Sequence, residues 1–282
     1  QNLKSYYCNN KLDLISSEHG FAAGGNNYKN RREYTTALEF HFKALGKYRK
    51  LGMAFNEFRV MYVISDTYER LGMYAEVEKY IANSIELAEE YQDYYSLGKI
   101  YSISSKMNIW NGKIEDAISD LEEAVENYQL SGREYQSSFI LTNLAFIYLE
   151  IGELSRAEKT FKKAKRLSSR KKEVFHDFRI LLGNQILQIV QGTATSQTVE
   201  NIISEYKSNI IDKTNYEYVW LLASCCHLNG DNQTAPSFMK QAQKLIQQEA
   251  ELIADEDQRK SFLGENIVNR KISRGEYFNV KA

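Results

Sequence analysis

The sequence is nearly devoid of proline: Pro236 is the only one in 282 residues, where an average protein has about 5%. Turns in β-rich folds commonly recruit proline, so this scarcity favours an all-α fold. Long apolar runs are also missing, and the longest candidate, 219–226, is far shorter than the roughly 18 residues of a membrane-spanning helix. We therefore predict a helical chain with no membrane partner.

Neither sign of charge is in excess, since 36 Lys and Arg residues oppose 37 Asp and Glu residues. No overall field then draws the chain to nucleic acid, and we predict no direct nucleic-acid binding. Three cysteines, Cys8, Cys225 and Cys226, are too few for a disulfide framework. Buried thiols and the lack of a secretory signal predict a cytoplasmic location. The chain starts at Gln1 rather than Met, which predicts a piece of a longer protein.

Recognisable catalytic or metal-binding patterns are missing as well. The histidines His19, His41, His176 and His227 are scattered, and none is paired with another ligand at metal-binding spacing. Gly24-Gly25 is followed by no Gly-Lys-Ser/Thr, so it is not a phosphate loop. We predict no enzymatic activity, no cofactor and no metal. His41 is expected to be a packed side chain, and Gly24 and Gly25 to admit a neighbouring helix.

What the sequence does contain is a repeat of 40 residues, marked by Gly72, Gly112, Gly152 and Gly192. A further unit follows at Gly230, and one precedes with Arg32 in place of the glycine. Five and twelve positions after this mark stand mostly small residues: Ala37, Ala44, Val77, Ser84, Ala117, Ala124, Ala157, Ala164, Ala235 and Ala242. Nine positions after it stand larger ones: His41, Ile81, Leu121, Phe161 and Met239. Spacings of three, four and seven predict stacked helical hairpins.

The hairpin interpretation places two helices in each unit. First helices are predicted near 14–30, 54–70, 94–110, 134–150, 174–190 and 216–228. Second helices are predicted near 34–50, 74–90, 114–130, 154–168, 197–210 and 234–252. Residues 1–13 would form a lead-in, 14–252 the repeat region, and 253–282 a cap and tail. A capping helix is expected within 255–272, because the ends of a solenoid need a polar cover.

Two segments, 109–128 and 148–167, resemble tetratricopeptide repeats. Each has a turn glycine followed by Ala, a large apolar residue and Ala at the spacing A-x3-F-x2-A, and in the second an aromatic residue precedes the turn. The resemblance implies an all-α, right-handed superhelix, an α-solenoid of about six hairpins. The period of 40 instead of 34 implies longer helices, and the proline that often closes a repeat is absent. HEAT-like repeats, whose period is near 40, remain the alternative.

The resemblance further implies that the first helices line a concave groove that binds a protein or peptide segment. Its N-terminal half is expected to offer Asn26, Lys29, Asn30, Arg59, Tyr62, Asp66, Arg70, Lys99, Ser102, Lys106 and Trp110. This mixture of cationic, amide and aromatic groups suits an acidic peptide. The C-terminal half is expected to be apolar, through Phe139, Phe146, Leu149, Leu182 and Ile186. Either a partner helix or the chain's own tail would cover that half.

The tail is similar to the ends of helical-repeat regions in large multidomain ATPases and regulators, through Arg259, Phe262, Leu263, Asn266, Asn269 and Arg270. Two functions follow as predictions. The first is a non-catalytic scaffold that binds a protein or peptide in its groove. The alternative is a ligand- or peptide-responsive sensor region of a larger transcription or signalling regulator. A basic run at 159–172 and an acidic run at 115–126 would be solvated convex faces, or would mediate self-association.

Overall fold

A computed structural model describes residues 20–168, 174–207 and 213–281. Within these ranges the chain forms fourteen helices and no strand. The helices span 20–30 (α1), Tyr34–Leu51 (α2), Ala54–Arg70 (α3), Tyr74–Glu90 (α4), Tyr94–Trp110 (α5), Ile114–Leu130 (α6), Glu134–Glu150 (α7), Leu154–Ser168 (α8), Val174–Val190 (α9), Ser196–Lys207 (α10), Tyr216–Leu228 (α11), Thr234–Glu251 (α12), Glu256–Gly264 (α13) and Ile267–Ser273 (α14).

Helices α1 to α12 form six successive hairpins, which confirms the predicted all-α solenoid. Described helix ends agree with the predicted ones to within one residue. The end predicted for α10 at residue 210 lies outside the described residues. The start expected at residue 14 and the lead-in 1–13 lie outside the described residues. Pro236 stands in the first turn of α12, where a missing backbone N–H costs nothing.

The turns of the repeat follow the mark seen in the sequence. The five marker glycines all have positive φ, from +69° at Gly192 to +82° at Gly152. This left-handed conformation ends a helix and lets the chain reverse. Arg32, which replaces glycine in the first hairpin, takes the same conformation with φ +65°. The repeat seen in the sequence therefore marks the turn between the two helices of each hairpin.

The small and large positions of the second helices build the core. Every one of the ten small residues predicted to allow close helix approach is at most 1% exposed. The five larger residues are at most 5% exposed. A Cβ atom at Gly25 would lie 2.3 Å from the His41 ring, so this glycine admits the larger side chain opposite it. The predicted packing roles of His41 and Gly25 are thus confirmed.

The cap differs in detail from the single helix expected within 255–272. Two short helices, α13 and α14, are joined by a corner at Glu265 and Asn266, and an extended segment follows to residue 281. Asn266 Oδ1 accepts the backbone N–H of Asn269 at 3.3 Å and starts α14. The Asn269 amide in turn donates to the Phe262 carbonyl oxygen at 2.9 Å. The tail motif noticed in the sequence therefore contains the residues that build this corner.

The first and last hairpins meet, so the solenoid closes on itself. Arg32, in the turn between α1 and α2, forms an ion pair with Glu249 near the end of α12. Tyr34 donates its hydroxyl to the same carboxylate at 3.0 Å. Across the described ranges, no helix combines the length and apolar character needed to cross a bilayer.

Candidate functional site

A cavity of about 530 Å³ lies on the inner side of the solenoid, large enough for a small organic ligand. Its wall comes from the first helices α1, α3, α5, α7, α9 and α11, and from the tail. Of the residues predicted to face a groove partner, five line it: Lys29, Asn30, Arg70, Lys106 and Phe146. Asp66 forms an ion pair with Lys29 beside it. The inner side of the repeat thus contains a partly open cavity at this point.

Ion pairs between neighbouring first helices cross this wall. Lys29 Nζ lies 2.7 Å from Asp66 Oδ2, and Lys106 Nζ lies 2.8 Å from Glu69 Oε2. Both pairs join residues that are 37 positions apart in sequence. This separation is one repeat of 40 residues minus about one helical turn. Burial raises the pKa of Asp66, but Arg70 and Lys29 outweigh it and hold that pKa well below its ordinary value. These charges stabilise the stack and are engaged within the chain.

The tail covers the C-terminal half of the inner side. The Phe278 backbone N–H donates to Ser224 Oγ at 2.9 Å, and the Lys281 N–H donates to the Glu150 carbonyl oxygen at 3.1 Å. The Phe278 ring packs edge-to-face against Phe146 and Trp220, with centroid distances of 5.6 and 6.0 Å. Of the two coverings considered for this half, the structure has the chain's own tail.

The apolar positions predicted for that half are mostly not on a surface. Leu149, Leu182 and Ile186 are fully buried, so the expectation that they face a partner is corrected. Helix α7 is apolar nearly all round and packs on several neighbours at once, which leaves no free apolar groove face there. Phe139 is 36% exposed and stacks on His176 at 3.8 Å. Phe146 is buried under Phe278.

A second cluster, here named the cation–aromatic surface, consists of Arg59, Tyr62, Tyr95, Lys99 and Arg133. Lys99 Nζ lies 4.5 Å from the ring centroid of Tyr95 and 5.5 Å from that of Tyr62. The Arg133 guanidinium lies 5.3 Å from the same Tyr95 ring. Burial lowers the pKa of Lys99, but Tyr62 and Tyr95 outweigh it and raise the pKa. The lysine therefore stays charged between two aromatic rings.

Carboxylates are scarce around these cations. Among the described residues, neither Lys99 nor Arg133 has a carboxylate oxygen within 4.0 Å, whereas Arg59 has Asp93 at 3.9 Å. Tyr95 and Arg133 escaped the sequence prediction. Only inward positions of first helices were carried over from the repeat, and Arg133 precedes α7. Arg133 contacts Tyr95 of the preceding hairpin only because the two hairpins are stacked. This contact depends on tertiary structure, so the sequence pattern does not reveal it.

The remaining predicted groove residues lie elsewhere. Asn26 is exposed on α1, and Ser102 is half-buried on α5 between Lys99 and Lys106. Trp110 donates its indole N–H to Glu265 of the tail at 3.2 Å and stacks on Tyr74 at 5.2 Å. It is therefore a contact to the cap.

Side chains able to bind a metal do not gather: the described residues contain no group of three or more His, Cys, Asp or Glu arranged to hold an ion. Cys225 and Cys226 are buried free thiols, and burial raises the pKa of Cys226 to about 12. His227 stacks on Tyr277 of the tail at 4.0 Å. Glu122 of the acidic run lies 3.9 Å from Arg156 of α8, which precedes the basic run in sequence.

The second helices bury Ala, a large apolar residue and Ala at the spacing A-x3-F-x2-A, as in Ala157, Phe161 and Ala164. This spacing is typical of tetratricopeptide repeats rather than of HEAT-like ones. A family model described as a tetratricopeptide repeat matches residues 58–91 and 140–170, within the second and fourth hairpins. The chain accordingly contains tetratricopeptide repeats over these two segments, as the sequence resemblance implied.

Particular relatives extend this picture. The regulatory protein RapG of Bacillus subtilis is 25% identical over 149 residues, which are 42% of this chain and 41% of RapG. The chain thus matches less than half the length of that relative. A tetratricopeptide repeat protein from Parabacteroides merdae superposes with a TM-score of 0.53 at 14% identity, covering 89% of this chain and 99% of the other. BtubC from P. vanneervenii superposes with a TM-score of 0.54 at 18% identity, covering 74% and 89%. At these low identities, the two superpositions show only that this chain shares the fold of both structures.

Proposed function

We propose that the chain is a non-catalytic interaction scaffold whose cation–aromatic surface binds an acidic segment of a partner protein. The observation that carries the proposal is the placement of Lys99 and Arg133 against Tyr95 with no carboxylate beside either in the described chain. A partner's Asp or Glu side chains would supply the missing countercharges. This surface takes the role that was expected of the whole N-terminal half of the groove.

The chemistry favours a short peptide of mixed character. A guanidinium binds a carboxylate through two parallel hydrogen bonds, and a lysine supplies a point charge. Tyr62 and Tyr95 offer rigid rings beside these cations, and such aromatic and arginine groups dominate binding energy at interfaces. The cavity residues are less suited to this role, since Lys29, Asp66 and Lys106 are already in ion pairs. An isolated site of this size supports a Kd of about 1 μM, or about 8 kcal/mol.

Fluorescence anisotropy with labelled decapeptides tests the proposal. One library fixes Glu at three positions with Phe or Leu between them, and a second replaces each Glu by Lys. Binding of the Glu peptides, with little binding of the Lys peptides, is the expected result. Lys99→Gln together with Arg133→Gln should weaken it about tenfold or more. Lys162→Gln, on the convex face of α8 and 73% exposed, is the matched control. The proposal would be refuted if the Glu and Lys peptides bound equally well. It would also be refuted if the double variant bound the Glu peptides as tightly as the native chain.

A second candidate function is a sensor region within a larger regulator. The contact of Arg32 and Tyr34 with Glu249 favours it, because a ligand that opens or tightens this closure would change the shape of the whole solenoid. RapG, which matches part of the chain, is named a regulatory protein. Small-angle scattering with and without a bound Glu peptide provides the test. A changed radius of gyration supports a sensor, and an unchanged one supports a passive scaffold.

A further inference from the structure

The charges around the cavity do not balance. Six cations line it or pair with its lining: Lys29, Arg32, Arg70, Lys106, Arg179 and Lys271. Five carboxylates oppose them: Asp66, Glu69, Glu150, Glu217 and Glu249. Each carboxylate has its own close cation, which leaves one cation over. A cavity lined by one more cation than carboxylates favours an anionic occupant.

Arg70 is the cation left over. Its Nε atom lies 3.4 Å from Asp66 Oδ2, a carboxylate oxygen that Lys29 already holds at 2.7 Å. Its two terminal nitrogens have no hydrogen-bond partner among the residues that the structure describes. Half of the Arg70 side-chain surface is accessible, and the residue lines the cavity. The guanidinium at the cavity wall thus has two terminal nitrogens that can bind an anion.

The rest of the wall indicates what the anion would carry. Phe146, Trp220, Phe262 and Phe278 supply aromatic surface to the cavity, and Asn30 and Asn143 supply amide groups. A guanidinium fork matches the two oxygens of a carboxylate, and one spare positive charge matches one negative charge. A phosphate monoester, with close to two negative charges, would leave about one uncompensated.

We propose that this cavity binds a small organic monoanion, a carboxylate with an aromatic or apolar body, whose carboxylate is held by the Arg70 fork. The site lies apart from the cation–aromatic surface, so either proposal can fail without the other. Because α1, α3, α5, α7, α9, α11 and the tail all contribute to the wall, the site combines residues of all six hairpins.

Isothermal titration of the full chain with phenylacetate tests the proposal, alongside 2-phenylethanol and 2-phenylethylammonium, which keep the ring and change only the charge. Phenylacetate should bind at least about tenfold more tightly than the other two. Arg70→Gln should weaken it about tenfold or more, and Arg70→Lys should keep part of the affinity. Arg31→Gln is the control, because Arg31 is 63% exposed, pairs with Glu33 and does not line the cavity.

Several results would overturn the proposal. They are the absence of phenylacetate binding at millimolar concentration, equal binding of the three probes, or undiminished binding to Arg70→Gln. Thermal melting of each variant shows whether it is folded, and the Arg70→Lys variant keeps the test decisive if Arg70→Gln is unfolded. Lys99→Gln should leave phenylacetate binding unchanged, which separates this site from the peptide surface. Loss of binding in that variant would also contradict the assignment.

Discussion

Trp220 donates its indole N–H to the backbone carbonyl oxygen of Glu276 over 2.8 Å, across 56 residues of sequence. This bond fixes an extended segment of the tail against α11, and Ser224 one turn later binds the Phe278 backbone. The inner side of the solenoid therefore holds its own tail through main-chain hydrogen bonds and one buried aromatic ring. These contacts resemble those by which a groove holds a peptide in an extended conformation.

Phe278→Ala is expected to lower the free energy of unfolding by about 3 kcal/mol. The side chain is 4% exposed and its removal leaves a gap between Phe146 and Trp220. Urea denaturation followed by circular dichroism measures the change. Asn279→Ala, an exposed neighbour on the same segment, should change stability by less than about 0.5 kcal/mol. Equal small effects for both would show that the tail contributes little to the fold.

Gly72→Ala should destabilise the chain more than Gly112→Ala. Both glycines have nearly the same φ, +73° and +74°, so both substitutions carry the same backbone strain of about 1 kcal/mol. A Cβ at Gly72 would also lie 2.5 Å from the Asn266 backbone nitrogen and 2.7 Å from the Ser261 oxygen, whereas Gly112 faces open space. The difference in melting temperature between the two variants reports the docking of the cap. Matching melting temperatures would contradict that docking.

His41 should make the chain less stable in mild acid. Burial and, to a smaller extent, Lys29 lower the pKa of His41 from 6.5 to about 4, although Asp66 opposes the shift. Between these values the unfolded chain binds a proton that the folded chain does not. The free energy of unfolding then falls as pH decreases from 6.5 towards 4, by about 2 kcal/mol at pH 5.

His41→Leu is the variant that isolates this contribution. Leucine fills the equivalent position in the third hairpin, at Leu121. Neither ring nitrogen of His41 has a hydrogen-bond partner within the described part of the chain, so the variant should be more stable by about 1 kcal/mol at pH 7. Its stability should also fall less than that of the native chain between pH 7 and pH 5. Parallel pH profiles for the two proteins would exclude His41 as the titrating group.

Removing Arg32 should destabilise the chain through Glu249. That carboxylate is 4% exposed and depends on Arg32 and Tyr34 from the first hairpin. Arg32→Met should lower the free energy of unfolding by about 1–3 kcal/mol, because a buried charge loses its partner. Adding Glu249→Gln should recover part of the loss, since the charge is then gone. A double variant as unstable as the sum of both single ones would show that the two residues are not coupled.

The sequence alone determined the hairpins. Turn glycines every 40 residues and the small and large positions between them encode helix ends and helix contacts that are local in the chain. For this reason the helix bounds, the buried roles of residues such as Ala117 and Phe161, and the class of fold were all predictable. The corner between α13 and α14 was not, because it depends on capping by Asn266 and packing against the turn at Gly72.

Only the tertiary structure decided how the inner side is used. Sequence spacing placed Lys29, Asp66 and Lys106 on one side of the first helices, but whether they face a partner or each other depends on how consecutive hairpins are stacked. The stacking brings residues 37 apart within 2.8 Å and pairs their charges. Likewise, the burial of Leu182 and the cover of Phe146 by Phe278 require contacts between distant segments, which a repeating local pattern does not encode.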